Sequence, residues 1–486
     1  MILVLVAHNG CTYELEADSS TRVDKVQIAL ENLTSIALED QILTLEGSKL
    51  DGSNNKTFQE YGLSDDVMRE GQKVFMYSKK LLHPDSLPSS PETLPALNIE
   101  VPSLDQFEVV KLPLLDDDSS SASARNLPSL EQQFRYHLAK GKSILSVSTE
   151  RFRISERLLS EQEVQAQAID SAQENVDKHY AFICRLYDDF QRKCVVPHRE
   201  HWSECINSFP GDLKQLEKTQ THESVRSFAA DPAEVKEGEQ GEAEKHKPMS
   251  YVADLLPKEK LWAWHEQCIA MHTQFKPKVE EISSLYTSVK HDVEALFMTV
   301  PSVDLTKLSE QLHSNRELLA EMETVVEVFH KDYQRVSAAI STAVKHQQQH
   351  TSLPLSTDLS GECSAAQLMN EQHVLTQLPR MEECCKVLER FTKHCVDCKN
   401  AMSRCVHTQM KSIAILQNRI RAARNKLSAY KEVGRNMEDA CQYLSLVHHI
   451  PAAYNACLAE VMRRRAFADI VSLHAQRFAE AMSSLR

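Results

Sequence analysis

The chain has 486 residues, a formal charge of −14, 42% hydrophobic residues and only 6% aromatic ones. Eleven glycines are too few for an enzyme built on many βα loops and phosphate-binding turns. The acidic balance argues against nucleic acid as the main partner, because a phosphate backbone attracts net positive charge.

The 13 cysteines are odd in number and lack a compact disulfide spacing, so they read as reduced cytosolic thiols. The opening MILVLVAHNG is too short for a signal h-region and has no basic n-region. No stretch approaches the roughly 20 apolar residues of a membrane span. These features predict a soluble cytoplasmic protein.

Residues 1–80 predict a small β-rich head. Ile2 to Val6 and Thr12 to Leu15 flank His8-Asn9-Gly10, and Asn-Gly marks a hairpin because both residues tolerate positive φ. Thr21 to Leu33 has helical spacing, Gln41 to Leu45 reads as a strand, Leu50 returns after Gly47, and Gln72 to Tyr77 closes the module. That order is the order of a ubiquitin-like β-grasp. No terminal diglycine follows, so the head reads as a fixed docking or folding module. Residues 81–127 carry Pro84, Pro88, Pro91, Pro95, Pro102 and Pro113 and an acidic serine run at 116–121, a linker composition that predicts a tether.

Residues 128–486 predict long helices. Ile169, Ala172, Val176, His179, Ile183, Leu186 and Phe190 alternate at three and four, and Leu130, Phe134, His137, Ile144 and Leu158 extend the stripe upstream. A helix of roughly 65 residues is on the order of 95 Å long. A second stripe includes Cys268, Phe275 and Val289 and holds Pro277, which predicts a kink. A third, after a break at Pro301, includes Leu319 and Phe329, and a fourth runs from Met381 through Phe391 to Cys405. Sustained heptads predict coiled-coil seams, with a disordered acidic insertion at 228–249 and a loop at 349–379. Pro451 predicts the start of a last helix whose stripe includes Tyr454, Val461, Val471 and Phe478.

Few residues look like chemistry. Cys395-Val396-Asp397-Cys398 is a CxxC, but both cysteines fall on the stripe of Phe391 and Met402, where cysteine packs as a small hydrophobe. His448-His449 diverge on a helix, and Trp262 and Trp264 read as packing anchors. No catalytic, cofactor-binding or metal-binding residue is assigned. Arg463-Arg464-Arg465 stands out in an acidic chain. It reads either as a solvated face or, with Tyr454, as a docking patch for an acidic segment or anionic surface. Ile183, Phe190, Val289, Leu319, Phe329, Phe391 and Val461 are the expected seam or dimer core.

The run Leu127 to His137 (LPSLEQQFRYH), the run Leu378 to Phe391 (LPRMEECCKVLERF) and the run Pro451 to Arg464 (PAAYNACLAEVMRR) closely resemble the plant-type autophagy-related protein 11 family. That family is related to the RB1-inducible coiled-coil protein of animals. The resemblance implies a non-catalytic scaffold of the autophagy-initiation kinase complex that homodimerises through its helices. It further implies partners in the kinase, its regulatory subunit and vesicle or lipid-conjugated proteins, at the phagophore assembly site, in selective autophagy. Family members continue beyond the equivalent of Arg486, so the chain is expected to be a fragment or a truncated relative. The fold class expected is mainly α, an elongated long-helix or coiled-coil bundle with an N-terminal ubiquitin-like β-grasp domain. The competing readings are a membrane-binding or cytoskeletal coiled-coil tether and a ubiquitin-like adaptor.

Overall fold

The computed structural model describes residues 1–45, 47–52, 56–63, 72–110, 126–223, 250–299, 303–348 and 356–484. The acidic insertion at 228–249, the serine run at 116–121 and the break at Pro301 lie outside the described residues.

The chain starts with β1 (Ile2–Val6), β2 (Thr12–Leu15), α1 (Val23–Thr34), β3 (Gln41–Leu45), β4 (Ser48–Leu50) and β5 (Gln72–Ser78). They form one sheet of order β2-β1-β5-β3-β4, in which β1 and β5 run parallel and the other pairs antiparallel. Alternation along the strands sends Ile2, Val4, Val6, Val74 and Met76 to one face, where they bury against Val23, Val26 and Leu30 of α1. Each large aliphatic side chain so buried contributes about 1.5–3 kcal/mol. The β1–β2 turn is wider than a two-residue hairpin, with the Val6 N–H donating to Cys11 O at 2.9 Å. Only Gly10 in it takes positive φ, at 78°, while Asn9 instead caps the turn by accepting from the Cys11 N–H at 3.0 Å.

Thereafter the described chain is mainly helical: α2 (Leu127–Phe190), α3 (Ser203–Lys218), α4 (Lys258–Phe297), α5 (Leu305–Gln348), α6 (Ser356–Gln372) and α7 (Leu378–Ser484). π-turns at Gln191–Val195 and His198–Trp202 carry α2 into α3 on either side of Pro197, and another at His373–Gln377 carries α6 into α7 just before Pro379. A proline cannot donate to the carbonyl four residues back, and a local slip to wider bonding lets the helix continue past it.

Three expectations fail here for related reasons. The loop expected at 349–379 is helical from Ser356 onward, because Cys363 and Ala366 bury against Val336 and Ile340 of α5. The helix start expected at Pro451 is instead a point inside α7, which loses one hydrogen bond there and continues. The described part of the expected tether, residues 84–110, is strapped to helices. The Asn400 side chain bonds both backbone groups of Glu92, at 2.8 and 3.1 Å, and Lys411 Nζ reaches Pro84 O and Ser86 O at 2.8 and 2.7 Å.

By internal contacts the chain forms two compact units, Met1–Val176 with Leu296–Ile415 and Asp177–Ala295 with Leu416–Arg486. In the first, α2, α5 and α7 share a core that includes Leu158, Leu319, Phe329, Leu388 and Phe391. Gly141 of α2 lets Phe329 approach, since a Cβ there would lie 2.8 Å from its ring. In the second, Phe190, Trp202, Phe209 and Phe275 are all at most 1% exposed. The Trp202 indole donates to Glu438 Oε2 at 2.5 Å, and His198 and His272 stack with centroids 4.2 Å apart.

Candidate docking surface on the last helix

Helix α7 changes character along its length. On its packed side Cys441, Leu444 and Val447 are at most 3% exposed, while Tyr443 and Leu446 on the other side are open. From Val461 to Ser484 every residue is exposed, including Val461, Met462, Phe467, Ile470, Val471, Leu473, Phe478 and Met482. Phe467, Ile470, Val471, His474 and Phe478 fall at spacings of three and four, so they share one face. Water covers that face in the single chain, which leaves the transfer free energy of its side chains unrealised.

The arginines are less free than their sequence suggests. Arg463 grips Glu460 through Nε and Nη2, both at 2.8 Å, and Arg464 Nε reaches the same carboxylate at 2.8 Å. Those hydrogen bonds hold the Glu460 carboxyl down to about 2. Arg465 is exposed. Tyr454 is half-buried, and its hydroxyl accepts from the His222 backbone N–H at 2.7 Å, tying the segment after α3 to α7.

The expected seam residues separate into two kinds. Ile183, Phe190, Val289, Leu319, Phe329 and Phe391 are all at most 8% exposed within the one chain, so they hold its own helices together and present nothing to a second copy. Val461, at 41% exposure, is the one of the seven that is open. Glu460, Met462, Phe467, Ile470 and Leu473 also lie on this exposed end and were not expected as partner-binding residues. The spacing of Phe467 and Ile470 to Phe478 was a usable signal for two of them.

Cys395 lies in the core of the first unit, and burial pushes its thiol up to about 12, which keeps it protonated and a poor nucleophile. The Cys398 sulfur sits 3.6 Å from His394 Nε2. Among the described residues, no group of three or more His, Cys, Asp or Glu is placed to hold a metal ion, and no helix is long and apolar enough to cross a membrane. Trp264 anchors α4 by donating to Ala440 O at 3.3 Å, and His448 bonds Asp212 at 2.8 Å.

The described chain is thus a bundle of long amphipathic helices, with most of its seams closed internally and the end of α7 exposed. Residues 122–486 match the family described as autophagy protein ATG17-like domain. The chain is also similar to autophagy-related protein 11 of Arabidopsis thaliana, 27% identical over 487 residues, and to autophagy-related protein 11 of Gibberella zeae, 20% identical over 483 residues. It therefore belongs to the autophagy-related protein 11 family, and its helical part is an ATG17-like domain. The matches cover 100% and 99% of this chain but only 39% and 30% of the two relatives.

Proposed function

We propose that the chain is a non-catalytic scaffold for autophagosome formation, dimerising through its last helix and gathering other autophagy proteins at the phagophore assembly site. The observation that carries this reading is the apolar face from Val461 to Met482, exposed on a helix that buries one apolar side in its earlier turns, as at Cys441, Leu444 and Val447. Membership of the family supports the autophagy assignment. The partners proposed are the autophagy-initiation kinase and its regulatory subunit, with vesicle or lipid-conjugated autophagy proteins, in selective autophagy, including that of mitochondria.

The head is proposed to be a ubiquitin-like β-grasp module. Its strand order and the placing of α1 between β2 and β3 support that reading. Docking of an anionic membrane on the arginines is the weaker reading, since Arg463 and Arg464 already share Glu460.

The test is proximity labelling of cytosolic partners from starved cells, with the wild-type chain and with Phe467→Ser/Ile470→Glu. Recovery of the initiation kinase and its regulatory subunit by the wild type, and their loss with the variant, supports the proposal. A wild-type chain that labels neither subunit contradicts it.

A further inference from the structure

The sheet of the head has a second face, and the residues on it behave unlike an open surface. Leu5, Phe75 and Tyr77 point away from α1, yet they are only 3%, 9% and 7% exposed. Leu5 and Phe75 are register partners on the adjacent strands β1 and β5, so with Tyr77 they make one apolar patch. On α2, Val164, Ala168, Ile169 and Ala172 are likewise at most 9% exposed. They recur at spacings of three, four and one, a stripe along one side of the helix.

Hydrogen bonds show what covers what. The Tyr77 hydroxyl donates to Ala168 O at 2.9 Å, and Lys73 Nζ donates to Gln167 Oε1 at 3.1 Å. Gln165 Nε2 donates to His8 O at 2.9 Å in the β1–β2 turn. At that turn the two backbones nearly touch: a Cβ on Gly10 would stand 2.0 Å from Glu161 O, and φ there is 78°. Lys399 of α7, only 4% exposed, closes the same corner, donating to Asn9 O at 2.5 Å and pairing with Glu161 at 3.0 Å.

We infer that the outer sheet face of the head is an intramolecular interface whose occupant is the chain's own α2 from Glu161 to Ala172, latched at the β1–β2 turn by Gly10 and Lys399. A separate protein that reads a β-sheet face finds this one taken. The head works as a fixed cap on the helices, which excludes client shuttling through that face. The inference concerns a different surface from the last helix and stands independently of the scaffold reading.

Hydroxyl-radical footprinting of the full chain reads it directly. Phe75 and Tyr77 report the outer face, Met76 on the inner face reports whether the sheet is folded, and Tyr443, 64% exposed, is the open reference. In the wild type, Phe75 and Tyr77 are modified about tenfold more slowly than their exposed counterparts. Gly10→Val and, separately, Lys399→Met raise modification of Phe75 and Tyr77 severalfold while Met76 stays protected. Two results overturn the inference: rapid modification of Tyr77 in the wild type, or both variants leaving Tyr77 protected. If both variants expose Met76 along with Tyr77, docking and sheet folding are one event and the latch is also overturned.

Discussion

His137 of α2 sits 5.5 Å, ring centroid to ring centroid, from His373 in the π-turn before α7, and the two are 4% and 1% exposed. His373 Nε2 faces Asp332 Oδ2 of α5 at 2.9 Å, so the cluster joins three helices. Burial, reinforced by the charges of His373 and Lys140, pushes His137 from 6.5 down to about 4. His373 is also lowered by burial, against the pull of Asp332. At His137 the unfolded chain therefore takes up a proton near pH 6.5 that the folded chain refuses until near pH 4. Stability is fully present above 6.5 and falls as pH drops through that window, with His137 contributing on the order of 3 kcal/mol. Urea midpoints measured between about pH 7 and about pH 4 should fall steeply for the wild type and less for His137→Leu. An equal fall in both would show that His137 is not held neutral. His8, also lowered to about 4, supplies part of the remaining slope. Periodicity alone put His137 in the apolar stripe. Its partner was illegible, since His373 lay in a stretch whose Pro354, Gly361 and Pro379 read as a loop.

Among the helices, the close approach of α7 to the π-turn after α2 sets a sharper test. Gly434 is a mid-helix glycine, which propensity alone would replace with alanine for a gain of about 1 kcal/mol. A Cβ there would lie 2.5 Å from the sulfur of Cys194. Overpacking of about 1–3 kcal/mol outweighs the propensity gain, so Gly434→Ala should lower stability. Adding Cys194→Gly removes both close atoms, the sulfur at 2.5 Å and the Cβ at 2.9 Å, and denaturation of the double variant should recover about 1–2 kcal/mol relative to additivity. Additive losses would mean that the helices do not meet there. Along α7, Leu444→Ala should cost about 2–5 kcal/mol, because Leu444 is 1% exposed, whereas Phe467→Ser should leave the unfolding of the chain's own core unchanged. Equal losses would place Phe467 in an internal seam. The four stripes were legible as helices because a spacing of three and four needs only the sequence. Which helix each stripe faces was illegible, and so was the run of α7 through Pro451, where flanking turns outlast one missing donor.

For the whole chain, the family could be recognised from short runs such as Leu378 to Phe391, yet the division into two compact units could not. Helices α2 and α7 contribute to both units, and a continuous stripe carries no mark where its partner changes. Docking of the head was equally hidden, because Gly10 and Lys399 are far apart in sequence and neither breaks a local rule. The strands themselves matched closely, since strong alternation and turn residues bounded them. In the proposed scaffold the chain closes most of its seams by itself and leaves the end of α7 for a second copy. Light scattering on the purified chain, with and without Phe467→Ser/Ile470→Glu, tests that most directly. The expected result is a molar mass near twice 55.1 kDa for the wild type, and the single-chain mass for the variant with helicity unchanged. A wild type that stays at the single-chain mass at concentrations well above micromolar, or a dimer that survives both substitutions, would contradict it.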